Sequence, residues 1–198
     1  MGLSIDQDIA GTGGEWTPPL VQDAFSRIGA CGKSFGRGIF KFHDSVSGPA
    51  AADLLPEAFP RLAGGCDPFA FDWLGRQYAV IAPTMTPSGA AEVVVLDAFD
   101  MTVTPVVQHG EFLGFLSSPL MLELVDARLF AEWLAASGRS EVGFDRCASA
   151  IHPGFLGGVR EVQNLEDADI EVYWSVMIRA FKAAGALQPG ERLARFEL

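Results

Sequence analysis

The stretch "DPFAFDWLGRQYAVIAP", residues 67–83, decides the fold. Two aromatic- and β-branched-rich runs, Phe69 to Trp73 and Gln77 to Ile81, flank Leu74-Gly75-Arg76. Residues of this kind favour an extended, packed backbone, and a short glycine-containing connection lets the second run fold back on the first. The stretch predicts a β-hairpin. "AEVVVLDAF" (91–99) supplies a further strand and "GRGIFKFHD" (36–44) an earlier short one, bounded by glycines and acidic turn residues. These strands follow one another without the long helical crossovers that a parallel sheet needs, so the expected sheet is mainly antiparallel.

Around this core the pattern becomes helical. "PPLVQDAFSRIG" (18–29) places Leu20, Val21, Ala24, Phe25 and Ile28 at helical spacing, and "ADLLPEAFPRL" (52–62) reads as a short helix broken by its prolines. Leu122, Val125, Leu129 and Trp133 recur at three- and four-residue steps behind Ser118-Pro119, with Gly138 as the stop. A last helix is expected from about Asp167 to Ala184, capped by Asn164 or Asp167, with Ile170, Tyr173, Trp174, Met177, Ile178 and Phe181 on its apolar stripe. Residues 1–17, glycine-rich and without period, read as a loosely docked lead-in. The fold class is therefore α+β: a mainly antiparallel sheet with flanking helices and a helix-rich C-terminal part. The composition shifts near residue 115, which divides the chain into 1–115 and 116–198, either as two domains or as subdomains of one globular unit.

The chain has 198 residues and a formal net charge of −11. That charge argues against direct nucleic-acid binding, which needs clustered Lys and Arg, and favours a basic partner. The first basic residue is Arg27, and no apolar run is long enough to span a bilayer, so a cytoplasmic protein is expected. Three cysteines, Cys31, Cys66 and Cys147, lie far apart and read as reduced, buried thiols rather than a disulfide framework or zinc site.

The search for chemistry returns little. "CGKS" (31–34) resembles the end of a phosphate-binding loop, but the first glycine of that motif falls at Arg27. His43, His109 and His152 share no local spacing that would build a metal site, so neither metal nor cofactor is expected. Cys147 with His152, or an unrecognised carboxylate pair, would be the elements of a hydrolase-like enzyme. The acidic run Glu161, Glu166, Asp167, Asp169 and Glu171 exceeds what a helix start uses. Carboxylates there offset the macrodipole by roughly 0.3–1 kcal/mol each, which accounts for two or three of them. The surplus is a candidate partner-binding face.

Two segments carry a family resemblance. "FDWLGRQYAV" (71–80) and, about seventy residues on, "CASAIHPGFLGGVREVQNLEDADIEVYW" (147–174) resemble the immunity proteins of type VI secretion DNase effectors, the Tdi-type family. The matching positions are Asp72 through Gln77, Phe155-Leu156-Gly157-Gly158, and Asn164-Leu165-Glu166 through Asp169, Glu171, Val172, Tyr173 and Trp174. The chain departs where that family tends to carry a Gly-Tyr-Lys-x-Pro-Leu stretch, here Ala148 to Gly154. The resemblance implies a GAD-like N-terminal region to about residue 115 and an immunity-type C-terminal domain. It also implies a non-catalytic activity: stoichiometric binding of a cognate secreted toxin, a nuclease. Asp72, Arg76, Glu161, Glu166, Asp167, Asp169 and Glu171 are then the candidate partner-binding residues. Trp73, Leu74, Gly75, Phe155, Leu156, Gly157, Gly158, Asn164, Tyr173 and Trp174 are the candidate structural motif, the large apolar ones joining the two halves and the glycines allowing a tight turn or close approach. A regulatory scaffold without a toxin partner is the remaining alternative.

Overall fold

A computed structural model describes residues 4–21 and 27–186. Seven strands form one antiparallel sheet in sequence order: β1 (Ile5–Ala10), β2 (Lys33–Phe35), β3 (Phe40–Phe42), β4 (Cys66–Asp72), β5 (Gln77–Ile81), β6 (Glu92–Asp97) and β7 (Thr102–Gln108). The helices are α1 (Ser47–Ala58), α2 (Phe112–Leu116), α3 (Pro119–Leu124), α4 (Ala127–Ser137) and α5 (Ile170–Gly185). A second, two-stranded antiparallel sheet pairs β8 (Arg146–Ala150) with β9 (Leu165–Asp169). The fold is α+β, as the residue pattern predicts.

The middle positions of the central strands are apolar on both sides because both faces of the sheet are covered. Along β5, Tyr78 and Val80 join one core while Ala79 and Ile81 join the other; Val93 and Val95 of β6 face the first, and Val94 and Leu96 the second. This is the period-2 alternation of a pleated strand, with apolar residues on both sides. The first core is closed by α2, α3 and α4 through Phe112, Met121, Phe130 and Trp133. The second is closed by α1 and α5 through Leu55, Tyr173, Trp174 and Met177. Each core thus draws residues from both sides of position 115.

The hairpin appears where expected, with Phe71 opposite Gln77 and Ala70 opposite Tyr78. Gly75 takes φ +75°, and a Cβ there would stand 2.9 Å from Tyr173 Cδ1 and 3.2 Å from Cys147 Sγ, so the turn needs glycine twice over. β7, absent from the sequence reading, lies at the sheet edge; Pro105 and a mostly polar face disguised it, and an edge is where a strand tolerates proline.

Five expectations need correction. The lead-in is not loose: β1 pairs with β2, Gly13 N donates to Asp44 Oδ2 at 2.7 Å, and the Trp16 indole donates to the Pro68 carbonyl at 2.9 Å. The helix expected at 18–29 falls partly on residues 22–26, outside the described residues; Pro19–Val21 and Arg27–Gly29 are turns. Pro56 does not break its helix but lies inside α1. The helix expected through 122–133 is two, α3 and α4, separated at Val125–Asp126, where Asp126 adopts φ +51° and caps α4 by accepting from Leu129 N. Apolar periodicity runs through the break because both pieces cover the same core.

Finally, α5 starts later than its pattern suggests. Leu165–Asp169 is strand β9, and Asp169, rather than Asn164 or Asp167, caps the helix by accepting from Glu171 N and Val172 N. The Trp174 indole donates to the Gly75 carbonyl at 2.7 Å from a 1% exposed site. Trp174→Phe should therefore cost about 1–3 kcal/mol in urea unfolding, the penalty of an unpaired buried carbonyl. Trp174→Ala should cost roughly 3–5 kcal/mol by adding a cavity. Parental stability in the Phe variant would contradict this role.

Candidate functional site

The hairpin tip is built inward. Asp72 is fully buried; its Oδ1 accepts from Leu74 N at 3.0 Å and Arg76 N at 3.2 Å. Its Oδ2 accepts from Arg76 Nε at 2.7 Å and Tyr78 OH at 3.0 Å. Arg76 extends the network by donating from Nη2 to the Leu124 carbonyl at 2.7 Å, and the Trp73 indole donates to the Val125 carbonyl at 2.6 Å. These two carbonyls end α3, where helical acceptors lack partners of their own. Burial alone would lower the Arg76 pKa, but the surrounding groups, Asp72 foremost, together outweigh it and the net shift is upward. Asp72 and Arg76 are thus spent on each other and on the chain; as placed they are architectural and not presented to a partner.

The acidic run is divided between two roles. Asp167 pairs with Arg146 at 2.6 Å and Arg139 at 3.0 Å, and Asp169 caps α5. Glu161, Glu166 and Glu171 are exposed and make no ion pair among the described residues. Only these three of the predicted partner-binding residues face outward.

The motif residues separate likewise. Trp73, Leu74, Tyr173 and Trp174 are buried, while Leu156 is 37% exposed and belongs to the surface rather than the core. Phe155 packs edge-on against Phe181 at 5.2 Å. Gly157 turns at φ +89°, and a Cβ on Gly158 would collide with the His152 carbonyl, so both glycines are required by the backbone. Asn164 does not cap a helix; it ties off the 151–164 loop by accepting from His152 N at 2.8 Å and donating to the His152 and Val159 carbonyls.

Two buried ionisable groups escaped the sequence reading. Lys41 lies between Phe40 and Phe42 on a strand whose other face is also covered, so alternation carries it into the second core's side. Its Nζ donates to the Arg146 carbonyl at 2.7 Å, and burial lowers its pKa to about 8. His43 Nε2 meets Gln77 Oε1 at 2.8 Å, and Nδ1 meets Ser47 Oγ at 3.0 Å. Burial lowers its pKa to about 4, against the Gln77 hydrogen bond.

Cys147 and His152 do not form a catalytic pair. Cys147 is fully buried, and burial pushes its thiol up to about 12, far from the thiolate that a nucleophile requires. His152 is exposed and directs Nε2 to the Leu156 carbonyl at 2.9 Å. Cys31 and Cys66 are half-buried, and none of the three cysteines is in a disulfide among the described residues. Among the described residues no group of three His, Cys, Asp or Glu could hold a metal ion, and no helix is long and apolar enough to cross a membrane.

The surface carries two neighbouring hollows. A groove of about 300 Å³ runs between α5 and the β8–β9 hairpin, lined by Ile151, Leu156, Val172 and Met177 among others, with Glu166 and His152 beside them. A cleft of about 380 Å³ lies on the other side of the α5 N-terminus, floored by Phe71 and Phe144 and bordered by Asp44, Asp145, Asp169 and Glu171.

No family model matches the chain, and no curated protein matches it. Among solved structures it is similar to the crystal structure of Atu4351 from Agrobacterium tumefaciens, with a TM-score of 0.57 and 12% identity over 87% of this chain and 85% of that one. At that identity the likeness is one of fold.

Asp72→Asn keeps the shape of the hairpin tip but leaves the Arg76 charge buried without its counterion. A loss of roughly 3–5 kcal/mol in urea unfolding is expected, where Glu171→Gln should stay within about 0.5 kcal/mol. Acid should act through His43. Its folded pKa lies below the unfolded value of 6.5, so the unfolded chain takes up the proton first, and stability present above about pH 6.5 is lost as the pH falls toward 4. The full effect is on the order of 3 kcal/mol. Unfolding at pH 7 and pH 4.5 should show a smaller acid loss in His43→Gln than in the parent; equal losses would remove His43 from the account.

Proposed function

We propose that this chain is an immunity protein that neutralises a cognate secreted toxin, a basic nuclease of a type VI secretion system, by stoichiometric non-catalytic binding. The reading rests first on the resemblance of residues 71–80 and 147–174 to the Tdi-type family, with a GAD-like region to about residue 115 and an immunity-type region after it. The structural observation that favours it is the division of labour in those segments. Buried members of the motif hold the two cores together, while Glu161, Glu166 and Glu171 stand exposed on a chain of net charge −11. A field of that sign steers a basic protein toward encounter and accelerates association, an effect that salt weakens.

The alternative of an enzyme built on Cys147 and His152 gains nothing from the geometry, since the thiol is sealed in the core and the imidazole lies at the surface. Neutralisation requires only a face that outcompetes the toxin's substrate or holds the toxin away from it.

Co-expression with the product of the neighbouring reading frame should restore growth to cells that this product kills, and the two should co-purify at equal stoichiometry. Cys147→Ala and His152→Ala should protect as well as the parent. Loss of protection in a double variant that melts like the parent would overturn non-catalytic inhibition, and failure of the parent to protect or bind would overturn the toxin reading itself.

A further inference from the structure

The two hollows form one face. The groove ends on Ala168 and Val172 and the cleft on Asp169, Ile170 and Glu171, so only the first turn of α5 divides them. Along the groove the chain exposes large apolar side chains: Ile151 at 58%, Val172 at 56% and Leu156 at 37%. Apolar side chains grouped at a concavity and edged by charge differ from singly scattered ones, and mark places where another surface docks. The loop that carries Ile151 and Leu156 is not free to fold over the groove. Asn164 fixes it from within, and Arg160 anchors it to Asp97 at 2.7 Å.

The exposed charges that line the two hollows are acidic. Asp44 and Asp169 are committed to backbone amides, but Glu166 and Glu171 carry exposed carboxylates, and Asp145 at the cleft is exposed as well. Of the nearby cations, Arg146 is paired with Asp167 and Lys182 with Glu57; Arg179 donates to the Ser175 carbonyl and keeps its charge. Half-buried Phe144 adds an aromatic surface at the cleft, and a cation over such a ring gains about 0.5–1 kcal/mol at exposed sites, whereas Phe71 behind it is buried with its ring engaged by Lys41 and His43.

We infer that this face receives a basic amphipathic helix of a partner protein, its apolar side in the α5/β8–β9 groove and its Arg or Lys side chains on Glu166, Glu171 and the cleft edged by Phe144 and Asp145. The inference rests on the binding role proposed above and assigns it to one surface. A helix fits because the groove is bounded by a helix on one side and a hairpin on the other, and an apolar stripe with basic flanks matches both its floor and its rim.

Two variants divide the contributions without touching the core: Ile151→Ser with Val172→Ser removes apolar area, and Glu166→Lys with Glu171→Lys reverses charge. Titration calorimetry against the neighbouring-frame product should show each binding at least about tenfold more weakly than the parent, with parental melting temperatures. If the parent binds and both variants bind equally well, this face is not the interface and the function proposed above still stands. If the parent does not bind that product, a synthetic Leu/Arg amphipathic helix and its sequence-scrambled control decide the matter. Binding of the ordered peptide alone, lost in both variants, supports the face; no binding, or equal binding of the scrambled peptide, overturns it. A parent that sediments as a dimer and that Ile151→Ser/Val172→Ser returns to monomer would mean a second copy fills the groove, which also overturns the inference.

Discussion

The carboxylate of Asp72 is the point on which the rest of the structure turns. It gathers two backbone amides, the Arg76 guanidinium and the Tyr78 hydroxyl in a site without solvent, and so fixes both the shape of the hairpin tip and the direction of its side chains. Once the tip is fixed, Arg76 and Trp73 reach the carbonyls at the end of α3 on one side of the sheet. On the other, Gly75 presents its carbonyl to Trp174 of α5, and the Trp73 carbonyl receives the Ala148 amide of β8 at 2.6 Å. A buried ion pair is no guarantee of net stability, because desolvation consumes much of the attraction. Its value here is geometric, since one tip specifies how two layers meet one sheet.

That arrangement explains why the motif resembling an immunity family is so dense in aromatics and glycines and yet contributes few groups to the surface. Trp73, Tyr173 and Trp174 pack inside, Gly75 permits the close approach of Tyr173, and Gly157-Gly158 set the loop that flanks the groove. The exposed residues of the same segments, Glu166, Glu171, Val172 and Leu156, are then held on rigid elements by the buried ones. Exposed and buried residues of these segments are interleaved, as the 3.6-residue period of α5 requires.

Strand existence was legible in the sequence wherever aromatic and β-branched residues clustered, as in β4, β5 and β6. It was not legible in β1, whose polar pattern reflects an exposed edge, or in β9, whose Glu166, Asp167 and Asp169 mimic the acidic start of the helix that follows. The α3–α4 break was hidden because apolar spacing survives a turn that leaves both pieces on the same core. The inward roles of Asp72 and Arg76 were hidden for another reason. A charged pair at a hairpin tip normally faces water, and only the covering of both sheet faces, a property of the whole chain, turns it inside. Lys41 obeys the same rule.

The central claim is that the Asp72 tip joins the sheet, the α2–α4 layer and the α5/β8–β9 layer into one cooperative unit across residue 115. Native-state amide hydrogen exchange tests it most directly, because it reports the opening free energy of each segment separately. The slowest amides of β5, α4 and α5, together with Arg76 N and Ala148 N, should open with a common free energy that falls in step as urea is added. If α5 and β8–β9 instead open at a markedly lower free energy than β4–β6, with a separate urea dependence, the C-terminal part is an independent unit and the hairpin tip does not unite the fold.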